Sequence, residues 1–307
     1  MKKLGVIVGR FQVPDLHEGH WSLFEAVRKK SDAMLVVLGV PATLPTSRDP
    51  LPYEMREEMV RDVIKGMNLE FRIVPLRDVG NAKLWSQNLD AIIGKNFSDM
   101  EITLYGSRDS FLEQYNGMYN VERVAIVKSP SGSEIRERIV RGKPLDFLYP
   151  YDSSARKYRE GYIRAVSARQ DLSYQTVDIA VLKEGRILLA QKERDNNRLR
   201  FIGGFVDPSD KSLEYAIARE LNEETGLYIK PEELQYIGSF RVDDWRYRNL
   251  SDKICTALFT AEYRGDDMPV PGDDIIACKF YTPAEISLDN IVPSHRQMFE
   301  ALYKHLG

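Results

Sequence analysis

The run Leu4-Gly5-Val6-Ile7-Val8-Gly9-Arg10-Phe11-Gln12-Val13-Pro14-Asp15-Leu16-His17-Glu18-Gly19-His20 decides the reading of the first half of the chain. Five uncharged, mostly apolar residues form a strand buried on both faces. A glycine and an arginine close it, and a helix-like segment follows over 21–30. The same alternation returns with apolar runs at 34–38, 71–74, 102–105 and 124–127 and helix-like stretches at 53–66 and 84–96. Strands alternating with helices build a parallel α/β sheet, and ligands of such sheets sit beyond the carboxyl ends of the strands. The residues after each apolar run are therefore the first candidates for chemistry.

The 307 residues include 43 Lys+Arg against 46 Asp+Glu, a formal net charge of -3, and are 43% hydrophobic. This length supports two cores, and the composition excludes collagen, disorder and coiled coil. Cys255 and Cys278 lack C-x-x-C spacing, which argues against a disulfide framework or a cysteine zinc site and points to reduced thiols in the cytoplasm. No apolar run approaches the roughly 18 residues of a membrane span. Met1-Lys2-Lys3-Leu4 does not lead into a signal peptide, so the amino terminus is expected to be mature structure. The near-neutral balance argues against nucleic acid as a partner while leaving room for local phosphate sites. Oligomeric state is open, a homo-oligomer included.

Around 150–173 the alternation gives way to Tyr151-Asp152-Ser153-Ser154-Ala155-Arg156-Lys157-Tyr158, followed by Arg159, Arg164 and Arg169. This polar stretch reads as a junction between a first domain, 1–160, and a second, 170–307. Beyond it a hairpin over 176–182 and 186–191 turns at Glu184-Gly185, and one strong helix spans 212–225. Strands at 236–241, 254–263 and 277–281 and a last helix over 294–305 make the second half mixed α+β.

The turn after the first strand has what a nucleoside triphosphate needs. Gly9, Phe11 and Gln12 shape a loop, while Gly19 between His17 and His20 opens a helix whose N-H groups and dipole face an anion. The two imidazoles and Arg10 offset its charge. At the far end of the same domain, Ser131-Gly132-Ser133-Glu134-Ile135-Arg136 opens another helix. Taken alone it is an ordinary N-cap; paired with the first motif it offers hydroxyls and a guanidinium to phosphate.

In the second half the signal is Gly203-Gly204-Phe205-Val206-Asp207 followed by Arg219-Glu220-Leu221-Asn222-Glu223-Glu224-Thr225-Gly226-Leu227. Spacings of three and four put Glu220, Glu223 and Glu224 on one helix face, where like charges repel unless a cation joins them. Oxygen donors without histidine or cysteine suit Mg2+ or Mn2+. Further on, Phe240-Arg241-Val242-Asp243-Asp244-Trp245-Arg246-Tyr247-Arg248 mixes aromatics and arginines, as a ribose-phosphate and adenine pocket does and as a surface loop also does. Glu285, Asp273 and Asp274 are downstream carboxylates among which the sequence marks no general base.

The first constellation resembles the nucleotidyltransferase superfamily, whose H-x-G-H motif binds ATP phosphates on a Rossmann-like fold. Within it, three segments resemble archaeal-type nicotinamide mononucleotide adenylyltransferases: Ser47-Arg48-Asp49-Pro50-Leu51-Pro52-Tyr53-Glu54-Met55-Arg56, Asn81-Ala82-Lys83-Leu84-Trp85, and Tyr105-Gly106-Ser107-Arg108-Asp109. The resemblance implies ATP phosphates at His17, His20, Arg136, Arg10, Arg48, Ser131 and Ser133, and an adenosine pocket near Gly106. It also implies a mononucleotide site at Asn81 and Trp85, the latter stacking on the pyridinium. Trp85 as core and Arg48 or Arg56 as solvated charge are the bland alternatives. Between Arg10 and His17 this chain has two residues more than the family's G-R-F-Q-P-x-H spacing, so the loop is expected to bulge.

The second constellation resembles the Nudix box of an α/β/α-sandwich Nudix domain, R-E-U-x-E-E-x-G-U preceded by a glycine and a glutamate. Glu220, Glu223 and Glu224 match its metal ligands, Arg219 their orienting residue, and Gly203, Gly204 and Gly226 its glycines. The stretch from Gly204 to Arg219 is one residue longer than usual, and Lys211, beside Asp210, stands where the glutamate belongs. Together the resemblances imply a bifunctional enzyme of NAD metabolism. One domain would join ATP and nicotinamide mononucleotide into NAD and pyrophosphate. The other would hydrolyse ADP-ribose, held by Arg241, Trp245 and Arg246, with Mg2+ or Mn2+. The alternatives are a nucleotidyltransferase of pantetheine-phosphate, flavin or cytidylyl type with a Nudix domain of other specificity, and a Nudix-like ligand-sensing regulator. Only about twenty residues follow Glu285, too few for a winged DNA-binding helix.

Overall fold

The computed structural model describes the chain except residues 44, 98, 108–110, 126 and 146–152. It divides into two compact units, Met1–Gln170 and Asp171–Gly307. Arg108, Asp109, Tyr151 and Asp152, named above, and Ile126 of the 124–127 run lie outside the described residues. No helix among the described residues is long and apolar enough to cross a membrane.

The first unit is a five-stranded, wholly parallel sheet in the order β3-β2-β1-β4-β5. Its strands are β1 (Lys3–Gly9), β2 (Ala33–Val40), β3 (Glu70–Arg77), β4 (Glu101–Gly106) and β5 (Asn120–Arg123). The fifth strand thus precedes the 124–127 run assigned to it. Successive residues of β1 and β2 point to opposite faces, as the two-residue period requires. Ile7, Met34, Val36 and Leu38 join one core with Phe24, Val60 and Ile135. Val6, Leu35 and Val37 join the other with Leu89 and Ile93.

The helices that supply those partners are α1 (Glu18–Arg28), α2 (Tyr53–Lys65), α3 (Ala82–Asn96) and α4 (Gly132–Val140). Helix α1 begins three residues before the apolar pattern because His17 is its N-cap, which no Ser, Thr or Asp announces. The polar stretch read as a junction contains a fifth helix, α5 (Ser154–Ser167), which belongs to the first unit. Lys157 and Arg164 lie on its exposed face, while Ile163 enters the core and Arg159, 6% exposed, donates to the Pro14 carbonyl.

In the second unit the sheet order is β11-β7-β6-β10-β9, with β8 paired to β6. The strands are β6 (Ser173–Lys183), β7 (Arg186–Lys192), β8 (Ile202–Phe205), β9 (Gln235–Val242), β10 (Lys253–Glu262) and β11 (Ile275–Tyr281). The hairpin turn uses Glu184 and Gly185 at φ 51° and 73°. Helix α6 (Leu213–Thr225) covers one face with Ala216, Ile217 and Leu221. Helix α7 (Arg296–Leu306) covers the other with Met298, Phe299 and Leu302, giving an α/β/α sandwich.

Arg56 of α2 is 1% exposed in the first unit. Its guanidinium donates to the carbonyls of Arg10 and Gly39, each at 2.9 Å, of Leu51 at 3.1 Å and of Pro52 at 3.3 Å. It is therefore the strut that joins the ends of β1 and β2 to the loop before α2, not a solvated charge. Arg56→Ala strands those buried carbonyls and is expected to lower stability by roughly 3 kcal/mol or more, read as a fall in the urea midpoint.

Candidate active sites

Strand order reverses at β1, between β2 and β4, and the carboxyl ends of β1 and β4 open on a cleft of about 600 Å³. Gly9, Arg10, Phe11 and Gln12 line it from the end of β1, His17, Gly19 and His20 from α1, and Gly106 from β4. Arg48, Ser131, Ser133 and Arg136 close it from the opposite loops. Phe11 takes φ 47° and its carbonyl accepts from Val13 N-H at 2.9 Å, a tight turn within the lengthened loop. A Cβ on Gly9 would stand 2.7 Å from the Phe11 ring, and one on Gly19 2.2 Å from Ser129 Oγ, so both glycines permit close approach.

The His17 and His20 rings stack at 3.7 Å between centroids. His17 N-H donates to His20 Nδ1 at 3.4 Å, which leaves Nε2 as the protonated nitrogen of a neutral His20. Burial, and then the neighbouring His17, hold His20 well below the usual imidazole range, so it meets an anion as a neutral donor.

Arg10 is not free to swing. It donates to Asp49 and Asp78, each at 2.6 Å, two carboxylates that nothing in the local sequence pattern marks. Burial pushes Asp78 up, against the pull of Arg10. The Gln12 amide is occupied by Leu51, donating to its carbonyl at 3.1 Å and accepting its N-H at 2.7 Å. Arg136, 9% exposed, donates to the carbonyls of Ser47 and Gln12 at 3.1 and 3.0 Å and to Ser133 Oγ at 3.1 Å, tying three cleft loops together. Ser131 caps α4 through Glu134 and lines the cleft as well. Arg48 is half exposed, 3.8 Å from Asp49.

Asn81 and Trp85 do not line this cleft. Asn81 caps α3, accepting from the N-H groups of Lys83 and Leu84, and Trp85 tilts against Phe111 at 5.9 Å. Both lie on the same carboxyl edge of the sheet, beyond β3.

In the second unit β8 carries Gly203 and Gly204 against β6 and α6. Gly203 has φ 154° and a Cβ there would stand 2.0 Å from the Val177 carbonyl; one on Gly204 would stand 2.4 Å from Glu220 Oε2. Only glycine lets the Glu220 carboxylate lie on this strand. Glu220 is raised by burial and by neighbouring Glu224 and Glu223, with Arg219 opposing. Glu224, 2% exposed, accepts from Gly203 N-H at 3.0 Å and from Lys192 Nζ at 2.7 Å. Glu223 stays exposed, held by Arg219 at 3.0 Å. Thr225 Oγ1 donates to the Leu221 carbonyl, and Gly226 at φ 70° ends the helix.

Arg219 also donates to Glu220 at 2.8 Å, to the Phe205 carbonyl at 3.1 Å, and to both oxygens of Asp210 at 3.1 and 2.8 Å. Asp210 therefore fills the place of the missing box glutamate. Counting backward from Arg219 leads to Lys211, whereas counting five intervening residues forward from Gly204 leads to Asp210. The extra residue lies between Asp210 and the helix.

Two of the downstream carboxylates reach this site. Oxygens of Glu224, Asp273 and Asp274 lie within 4.8 Å of one another, because Val270 and Gly272 N-H groups bond the carbonyls of Thr225 and Glu224 at the end of α6. Glu285 instead caps a short turn through Thr282. Arg246, paired with both oxygens of Asp244 at 2.8 Å, lies over the Phe205 ring at 4.9 Å, beside the glycine strand. Arg241 lines a surface depression with Asp243, Tyr247 and Lys253, and Trp245 is half-buried in the intervening turn. Of the three glutamates expected to hold the metal, Glu220 and Glu224 stand one turn apart beside the glycine strand while Glu223 is turned to Arg219 at the surface, and their oxygen donors fit a hard divalent cation.

Residues 173–302 match the NUDIX domain, and the C-terminal half of the chain is one. The N-terminal half is homologous to archaeal nicotinamide-nucleotide adenylyltransferases. That of Thermococcus onnurineus is 26% identical over 159 residues, 49% of this chain and 79% of the relative. That of Thermoplasma acidophilum is 26% identical over 148 residues, 47% of this chain and 79% of the relative. A bifunctional NMN adenylyltransferase/ADP ribose pyrophosphatase from Francisella tularensis, crystallised with AMP and a Mn ion, matches over 100% of both chains. Its TM-score is 0.53 at 18% identity, a likeness of fold.

Behind the glycines, Asp178 of β6 pairs with Gly203 and accepts from Thr256 Oγ1 at 2.6 Å. Burial raises its carboxyl from the ordinary 3.8 to about 6, so the folded chain binds this proton more tightly than the unfolded one. The stabilisation is complete below pH ~4 and is lost as pH rises through about 6. Asp178→Asn keeps the acceptor for Thr256 without the charge. Relative to the parent its unfolding free energy is expected to gain on the order of 2 kcal/mol between pH 4 and 7, measured by urea titration at both values.

Proposed function

We propose that the chain performs two reactions of NAD metabolism: adenylyl transfer from ATP to nicotinamide mononucleotide, giving NAD and pyrophosphate, and divalent-metal-dependent hydrolysis of ADP-ribose to AMP and ribose 5-phosphate. The observation that carries this reading is the pairing, in one chain, of a histidine-arginine cleft at the β1/β4 switch point with a carboxylate helix packed on Gly203-Gly204. The adenylyltransferase relatives support the first reaction, the NUDIX match the second, and the name of the Francisella tularensis enzyme the combination.

In the first unit a 5'-phosphate oxygen of the mononucleotide attacks the α-phosphorus of ATP as the bond to pyrophosphate breaks. Positioning and charge stabilisation suffice for such a transfer. His20 donates from Nε2 to the triphosphate, and Arg48 and the α1 N-terminus add positive potential. Arg136 holds the three loops in register for the leaving group. The acceptor extends along the carboxyl edge toward Asn81 and Trp85.

In the second unit Glu220 and Glu224 would hold Mg2+ or Mn2+, which would supply charge to polarise the diphosphate for attack by water. Arg219 orients Glu220 and Glu223, and Asp210 orients Arg219. Arg246 on Phe205 is placed beside the strand that faces the substrate, with Arg241 and Trp245 on the same loop.

A second reading, with a different phosphorylated acceptor in the first unit, is favoured by Trp85 lying outside the cleft lining. Chromatography of the full chain with Mg2+, ATP and a panel of acceptors separates the two. NAD formation falling by about 10²-fold in His20→Ala supports the proposal; preference for another acceptor selects the second reading. ADP-ribose hydrolysis is expected to fall by about 10³-fold in Glu220→Gln, with NAD formation intact.

A further inference from the structure

The Lys192 ammonium bonds two of the three carboxylates, Glu224 and Asp274, that converge with Asp273 at the end of α6. Lys192 is the last residue of β7, and the β7/β11 register sets it opposite Ile275, next to Asp274. Its side chain is 8% exposed and its Nζ bonds both Glu224 Oε1, at 2.7 Å, and Asp274 Oδ1. Arg194 bonds the other oxygen of Asp274 at 3.1 Å. The second oxygen of Glu224 is taken by Gly203 N-H at 3.0 Å. The deepest carboxylate of α6 thus carries a protein cation on one oxygen and a backbone donor on the other.

We propose that Lys192 is a built-in competitor of the divalent cation: its ammonium neutralises Glu224 when metal is absent and sets how tightly Mg2+ or Mn2+ binds the Glu220/Glu224 pair. The inference rests on the reading of that pair as the metal holder. A unit charge 2.7 Å from a ligand oxygen opposes a second cation at the same carboxylate, and burial keeps solvent from screening it. Asp274, held from both sides by Lys192 and Arg194, gives the ammonium a second anchor when Glu224 turns to the metal. The buried carboxylate is never left without a partner, and the site gives up metal affinity for that security.

The test is Mn2+ binding to the full chain without nucleotide, followed by the electron paramagnetic resonance signal of free Mn2+. Glu220→Gln measures how much of the binding belongs to this site. Lys192→Met is expected to bind Mn2+ at least about tenfold more tightly than the parent, and Lys192→Arg, which keeps the charge, close to the parent value. Lys192→Met is also expected to be less stable without metal and to recover a larger part of its melting temperature on adding Mn2+ than the parent does. Equal or weaker Mn2+ binding in Lys192→Met overturns the proposal and reduces Lys192 to a packing strut. If that variant does not fold, Lys192→Gln is judged by the same criteria. Parent binding unaffected by Glu220→Gln refutes the metal assignment itself, and the proposal with it.

Discussion

A carboxylate as deeply buried as that of Glu224 has to be met by donors on both oxygens, and much of the second unit follows from that demand. The Gly203 N-H can reach it only because glycine lets β8 press against β6 at a distance no side chain allows. Lys192 can reach it only because β7 ends level with the start of β11. The loop before β11 is in turn fastened to the last carbonyls of α6 by Val270 and Gly272. The first unit meets the mirror demand with buried arginines, Arg56 and Arg136, whose guanidinium groups find carbonyls from several loops. In both units long-range polar bonds hold loops that have no regular structure of their own.

The architecture was legible because periodicity is a local property. Apolar runs alternating with helical spacing gave the parallel sheet, and the Glu184-Gly185 turn gave the hairpin. The two motifs around His17 and Arg136 meet on one cleft because both follow strand ends on the same edge of the sheet. The sequence does not announce β8 as a strand, since two of its four residues are glycines with low strand propensity that pair only because α6 and β6 clamp them. Helix α5 was hidden by its charges, which are one face of an amphipathic helix whose other face holds Ile163.

Partners across the chain were less legible. Asp49 and Asp78 become the partners of Arg10 through strand order, 39 and 68 residues away, and no spacing rule reaches that far. Lys192 in its own segment looks like any polar residue ending a strand. Asp210 lies at the box spacing when read forward from Gly204, and only the extra residue before α6 displaces it when the box is read back from Arg219. Asn81 and Trp85, which the resemblance assigns to the mononucleotide, also have partners within the chain: Asn81 caps α3 and Trp85 tilts against Phe111.

The extra residue between Asp210 and Arg219 falls next to Ser212, whose hydroxyl accepts from Tyr215 N-H at the start of α6. Each residue of an α-helix advances the side-chain direction by about 100°. Inserted after Ser212, it would swing Glu220 and Glu224 away from the glycine strand or drag the apolar face of α6 out of the core. Inserted before Ser212, it only widens a turn while Asp210 keeps hold of Arg219. Drift in chain length is therefore harmless on one side of a single serine and ruinous on the other.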